Sequence, residues 1–215
     1  MKVAIMQPYF VPYAGYFRLF STADLFVIYD CVQFPRRGWV HRNRFLEGEK
    51  ENWVTLPLEK CSRDTLIKDL RFRSEASSWF DDLVKRYAFL AKVGSFKAWN
   101  QRDTLVDYLE KSLGDLCRDL AIPFDTLRSS ELPIRPELRG QDRILEICRQ
   151  VGAKEYINLS GGADLYDASQ FKDCGIDLRF LKPYQGSYES ILARVYKEPL
   201  DLIREEIVTQ CDTDE

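Results

Sequence analysis

Histidine is nearly missing from this chain: of 215 residues only His41 carries an imidazole. That scarcity excludes a His-rich zinc site within one chain and leaves a Ser–His–Asp triad no other base to recruit. No G-x-S-x-G segment is present to display such a serine, and neither a Walker motif nor a G-x-G-x-x-G fingerprint occurs. The six cysteines (Cys31, Cys61, Cys117, Cys148, Cys174, Cys211) form no C-x-x-C pair and no metal-ligand spacing, so they read as reduced thiols and no metal site is expected. No stretch approaches the ~20 apolar residues that cross a bilayer. The apolar run after Lys2 stops at Gln7-Pro8, which does not fit a secretory signal. Repeats, low-complexity segments and clear linkers are also lacking. The expectation is a cytoplasmic protein without membrane insertion.

What is present is an ordinary globular composition, 45% hydrophobic and 30% charged. The length suits a single domain over 1–215 that buries roughly 70% of its unfolded surface. A net charge of −3 excludes a general affinity for nucleic acid, which needs a broad basic footprint. The charge is unevenly spread. Residues 1–46 hold Lys2, Arg18, Arg36, Arg37, Arg42 and Arg44 against Asp24 and Asp30, a local excess of +4. A basic patch on an acidic chain suits a small anionic partner bearing phosphate or carboxylate.

Periodicity organises the chain as α/β. "KVAIMQ" (2–7) reads as a buried strand, ended by Pro8 and Pro12. "YAGYFRLFSTA" (13–23) has Tyr16, Leu19, Phe20 and Ala23 at helical spacing, and "DLFVIYD" (24–30) is a second strand. Strand, helix and strand in thirty residues make a βαβ unit, hence a Rossmann-like, mostly parallel sheet. Further strands are expected over 52–58, 66–72, 124–128, 155–159 and 177–182. Helices are expected over 141–151, 163–174 and a stretch after Glu198. Two amphipathic segments, 77–92 and 103–122, predict an αα insertion or small lobe within 74–122.

Ligands of open α/β sheets bind beyond the carboxyl ends of the strands. The loop after the first strand offers Gln7, Tyr9, Tyr13, Gly15 and Tyr16. Its Pro12-Tyr13-Ala14-Gly15 entry to a helix would place free N–H groups near an anion. The alternative is a proline-fixed loop whose aromatics cover the core. The next loop, "CVQFPRRGWVHRNRF", sets Arg36, Arg37, Arg42 and Arg44 beside Trp39, a pattern for phosphate or carboxylate with a stacking surface, or a solvated basic edge. If 39–45 is extended, Trp39, His41, Asn43 and Phe45 share one face and Arg42 and Arg44 the other. His41 is a candidate acid–base group or a structural imidazole. Asp30 is a candidate base, metal ligand or ribose contact, or an arginine's partner. Ser160, Gly161 and Gly162 form a second, weaker cradle; Ser129-Ser130 is weaker still. Cys31 is the one cysteine in a candidate loop.

The segments "MQPYFVPYAGY", "ADLFVIYDCVQFPRRGWVHRNRF", "WVTLPL" and "YINLSGGADLYDASQF…GIDL" resemble the WbqC-like family over most of the chain. The family pattern is Q-P-x-[YF]-x-P-x-x-G-Y, then D-x-x-Q and W-x-x-R-N. Gln7, Pro8, Tyr9, Pro12, Gly15, Tyr16, Asp30, Gln33, Trp39, Arg42 and Asn43 fit it, and Gln33 and Asn43 join the candidate site on that ground. Members are encoded among genes for bacterial surface polysaccharide. The resemblance implies a place in O-antigen or modified-sugar biosynthesis, and the site features favour a transferase for a nucleotide-activated or sugar-nucleotide substrate there. An acyl- or aminoacyl-transferase using Cys31, or a non-catalytic assembly protein of the same pathway, stays open. The cofactor is undetermined, with a nucleotide and Mg²⁺ the candidate, and an oligomer is also open. A looser similarity, at fold level, links P-x-x-G-Y-F-x-L to HIGH-type nucleotidylyltransferases, with Tyr13 and Tyr16 standing where those place two histidines.

Overall fold

A computed structural model describes residues 1–47, 50–92, 96 and 103–214. Strand β1 (Lys2–Met6) leads through a 3₁₀ turn (Ala14–Phe17) into helix α1 (Arg18–Thr22) and strand β2 (Leu25–Ile28). A hairpin of β3 (Arg42–Glu47) and β4 (Lys50–Thr55) precedes helices α2 (Ala76–Arg86) and α3 (Leu105–Asp119). Then β5 (Thr126–Arg128), α4 (Gly140–Gln150), β6 (Glu155–Leu159), α5 (Ala168–Asp173) and β7 (Asp177–Leu181) alternate. Helix α6 (Ile191–Lys197), which the sequence reading did not identify, is followed across Pro199 by α7 (Leu200–Thr209), the helix expected after Glu198.

The five-stranded sheet runs in the order β5-β2-β1-β6-β7, every pair parallel. Alternation along its strands feeds two cores. Val3 and Ile5 of β1, Val27 of β2 and Tyr156 of β6 pack with Ile144, Ile147 and Cys148 of α4 and Phe171 of α5. Ala4, Phe26, Ile28 and Ile157 face the larger core, which takes in α1, α2, α3, α6 and α7. Burial on both faces is what a parallel sheet requires, and it explains the continuous apolar runs of these strands. The apolar faces of α2 and α3 join the core that also holds Phe10 and Phe45. Helix α3 starts on a capping box, Thr104 accepting from the Asp107 N–H while Asp107 accepts from the Thr104 N–H.

Two expectations need correcting, and one expected strand forms outside the main sheet. Residues 66–72 form no strand; Ile67–Asp69 is a 3₁₀ turn. Its Ile67 and Lys68 N–H groups donate to the Val32 and Asp30 carbonyls of the loop after β2, which removes them from any ladder. The 52–58 strand is β4, and it pairs antiparallel with β3 in a sheet of its own. The 163–174 helix is interrupted: Tyr166 is extended, and Asp167 caps α5 by accepting from the Ser169 N–H at 3.0 Å.

No helix among the described residues is long and apolar enough to cross a membrane.

Candidate functional site

The order of the sheet places a crevice. From β1 the chain winds outward to β2 and β5 on one side, and β6 and β7 lie on the other. The β1/β6 border is therefore the topological switch point, where loops leaving the two carboxyl ends turn apart. A cleft of about 640 Å³ opens there. Met6 at the end of β1, Gln7 just after it, and Asn158 and Leu159 from β6 line its base, with Gly161 and Gly162 beside them. Tyr9 and Tyr13, Tyr29, Trp39, Tyr166 and Tyr188 supply aromatic walls, and Arg44 supplies the charge. Among the described lining residues there is no carboxylate and no imidazole.

The wall formed by residues 9–13 is held under strain. Val11 sits at φ 43°, a left-handed conformation that a β-branched residue adopts only when its surroundings dictate it. Here they do. The Asn43 amide donates to the Phe10 and Val11 carbonyls at 3.0 and 2.8 Å, and the Ser190 hydroxyl donates to the Val11 carbonyl at 2.8 Å. The Ile191 N–H binds the Pro12 carbonyl at 2.8 Å. Asn43 is thus a buried clamp as well as part of the lining. Tyr13 then lies between two rings, 4.8 Å from Tyr188 and 5.5 Å from Tyr184. Burial foremost, with help from Tyr188, pushes the Tyr13 phenol up to about 12, and burial raises Tyr9, so both stay protonated donors. Tyr184 is fixed in turn by its hydroxyl on Glu206, whose carboxylate also pairs with buried Arg194 at 2.7 Å.

Several sequence candidates have other positions. Tyr16 is fully buried and donates to the Gln7 carbonyl at 2.8 Å, so it belongs to the core. Gly15 offers no anion cradle, because a Cβ there would lie 2.4 Å from the Tyr13 ring and 2.7 Å from that of Tyr184. The glycine is needed for aromatic packing. Asp30 is 1% exposed and outside the lining, its carboxylate accepting from the Ser129 hydroxyl (2.9 Å), the Ser130 N–H (2.9 Å) and the Ser130 hydroxyl (2.6 Å). It ties β2 to the turn after β5. Its expected arginine is replaced by serines. Gln33 and Arg36 are exposed and donate to the Arg63 and Cys61 carbonyls at 2.8 Å each. Arg37 is exposed, and Ser160 is half-buried outside the lining. Cys31 is also outside it, its sulfur 3.1 Å from the Ser129 oxygen and its N–H donating to that oxygen at 3.2 Å.

The hairpin corrects the expected faces. Alternation begins only at Arg42, so Asn43 and Phe45 turn inward while Arg42, Arg44 and Trp53 turn outward. Trp39, before the strand, joins the arginine side, its ring 5.5 Å from Trp53. Arg42 lies over Trp53 at 4.2 Å and donates to the Arg37 carbonyl at 2.5 Å, which turns it from the cleft. Arg44 spans the two rings at 5.7 Å each and pairs with Glu51 across exposed surface, a contact of small energetic weight. Arg18, counted in the basic excess, is a core residue that donates to the Gln210 and Lys182 carbonyls at 2.6 and 2.7 Å. His41 packs edge-on against Phe34, outside the lining. Burial first, and Arg42 second, depress it to about 4, so it is neutral at physiological pH.

The structure thus gathers Gln7, Tyr9, Tyr13, Trp39, Asn43, Arg44, Gly161 and Gly162 at one cleft. Sequence reasoning missed Tyr29, Asn158, Tyr166 and Tyr188. Asn158 and Tyr29 sit at strand carboxyl ends and were within reach of the rule that found their neighbours. Tyr188 had no such signal.

A model of the WbqC-like protein family matches residues 7–201. An uncharacterised protein of Mycobacterium tuberculosis is 26% identical over 188 residues, covering 81% of this chain and 79% of the relative. No solved structure matches.

Proposed function

The chain belongs to the WbqC-like protein family, and from that membership and the cleft we propose a transferase acting on a nucleotide-activated or sugar-nucleotide substrate. Its place would be bacterial surface-polysaccharide, O-antigen or modified-sugar, biosynthesis. The observation that carries the reading is the composition of a switch-point crevice: ring faces on several sides and one arginine. Trp39, Tyr13 and Tyr188 would stack the base or sugar, and Arg44 would take the phosphates. At Gly161 a Cβ would meet nothing within 4 Å, so ligand can approach the backbone there. Mg²⁺ does not fit the described lining, which offers it no carboxylate. With neither carboxylate nor imidazole in that lining, catalysis would rest on positioning and on Arg44 stabilising a departing phosphate.

That same lack favours a second reading, a non-catalytic sugar-nucleotide-binding member of the pathway. Acyl transfer through Cys31 draws no support, since that sulfur lies outside the cleft. A thermal-shift panel of sugar nucleotides, nucleoside triphosphates and acyl-CoA donors, with and without Mg²⁺, separates these readings. A ligand at 100 times its Kd stabilises by ~2.7 kcal/mol, a rise in Tm of roughly 5–10 °C for a chain of this size. The expected result is a shift with sugar nucleotides, lost in Arg44→Ala and kept in Arg36→Ala. A shift without turnover moves the weight to the binding protein. No shift with any sugar nucleotide contradicts both.

A further inference from the structure

Tyr156, Asn158 and Tyr166 form a small polar set beside the cleft, and their hydrogen bonds can be given a direction. Asn158 is 5% exposed. Its Oδ1 accepts the Leu159 N–H at 2.7 Å, which fixes the amide, because the flipped form would set two donors against each other. Its Nδ2 must then donate, to the Tyr156 hydroxyl at 3.0 Å and the Tyr166 hydroxyl at 3.3 Å. The two phenol oxygens are 3.1 Å apart. Tyr156 is wholly buried against Phe171, and of its two polar neighbours the Asn158 nitrogen cannot accept a proton. A buried hydroxyl without an acceptor is costly, so Tyr156 donates to Tyr166. The Tyr166 oxygen then accepts twice, and its own proton is left for something outside the set. Tyr166 is half-buried and lines the cleft.

We infer that Tyr166 is a ligand-binding residue whose hydroxyl donates to a neutral carbonyl oxygen of the substrate. The inference rests on the cleft being the substrate site, as proposed above. A phosphoryl oxygen is the poorer occupant at this point. Asp142, Asp164 and Asp167 share the surface recess on the other side of Tyr166, with Arg139 the single cation there, and their field opposes an anion. A sugar nucleotide carries suitable oxygens in two places, the carbonyls of its base and the N-acyl carbonyl of an acylated amino sugar. A free amine would meet no carboxylate in the described cleft lining and would face a hydroxyl whose lone pairs are already taken.

Two measurements test this. In protein carrying ¹³Cζ-labelled tyrosine, the isotope shift in mixed H₂O and D₂O reports which hydroxyl proton exchanges slowly. Protection should belong to Tyr156 and vanish in Tyr166→Phe. Protection on Tyr166 that vanishes in Tyr156→Phe would reverse the bond and overturn the inference. Calorimetric titration with UDP-N-acetylglucosamine and UDP-glucose then reads the ligand. Tyr166→Phe should weaken binding roughly three- to tenfold, as loss of one neutral hydrogen bond does. Weakening for both probes assigns the uracil carbonyl, and weakening for the acetylated probe alone assigns the acyl carbonyl. Equal affinity of wild type and Tyr166→Phe overturns the assignment while leaving the proposed function standing. If neither probe binds the wild type, the proposed substrate class fails and the carbonyl assignment with it, whatever the exchange pattern shows.

Discussion

Asp30→Ala should damage the fold and spare the cleft. The carboxylate takes three hydrogen bonds from Ser129 and Ser130 while 1% exposed, joining β2 to the turn that follows β5. Each hydrogen bond to a charged acceptor is worth about 1.5–3 kcal/mol. Removal also relieves the desolvation of a buried carboxylate, which returns several kcal/mol. Of the stranded donors, the Ser129 hydroxyl can turn to the Cys31 sulfur 3.1 Å away, whereas the Ser130 N–H loses the acceptor it has here. The balance is a loss of about 2–4 kcal/mol, within the range of a broken buried network. For a chain this long each kcal/mol moves Tm by roughly 2–4 °C, so melting should fall by about 5–15 °C. Asp30→Asn should lose less than half as much, because the Ser130 hydroxyl can rotate to accept from the new amide. Calorimetric melts of the three proteins decide the matter. A folded Asp30→Ala protein melting within about 2 °C of wild type would refute the structural reading, most plainly if turnover vanished.

Other tests follow from the same contacts. Because His41 is the sole histidine, its ring protons give one isolated NMR resonance, which should titrate near pH 4. A midpoint near 6.5 would contradict its burial. Its folded pKa lies below the unfolded value, so the stability it contributes is present above pH ~6.5 and is lost as pH falls toward 4. His41→Gln should flatten that part of the Tm–pH curve, and an unchanged slope would discount the linkage. Gly15→Ala should overpack the Tyr13 and Tyr184 rings and cost about 1–3 kcal/mol. A Gly15→Ala protein as stable as wild type, with unaltered ligand binding, would show that those rings move aside freely.

Much of the fold was legible because local signals were strong. Val3, Ala4 and Ile5 are apolar on both faces of β1, which only a sheet covered on both sides demands, and the spacing of Tyr16, Leu19 and Phe20 fixed the first crossover. Residues 66–72 misled because Leu66, Leu70 and Phe72 imitate a strand, while the Ile67 and Lys68 N–H groups bond to the loop after β2 and Leu66 and Phe72 make only isolated bridges, to Gln33 and Leu58. The position of the cleft was legible through the carboxyl-end rule; which side chains line it was not. Arg42 and Arg44 look alike in sequence. One is turned onto Trp53 and the Arg37 carbonyl, and the other reaches the cleft. Gly15 suggested an anion until Tyr184, distant in the chain, occupied the space above it. Tyr188 enters the cleft through the segment before α6, whose placement depends on the Ser190–Val11 and Ile191–Pro12 hydrogen bonds. Contacts of that range leave no local trace.

The central claim is the position of the site at the β1/β6 border, and hydrogen–deuterium exchange with and without a saturating sugar nucleotide tests it most directly. The account predicts added protection in segments 7–13, 157–166 and 184–190, with 33–37 and 60–65 unchanged. Protection confined to 33–37 and 60–65 would place the ligand on the exposed arginine loop and contradict it.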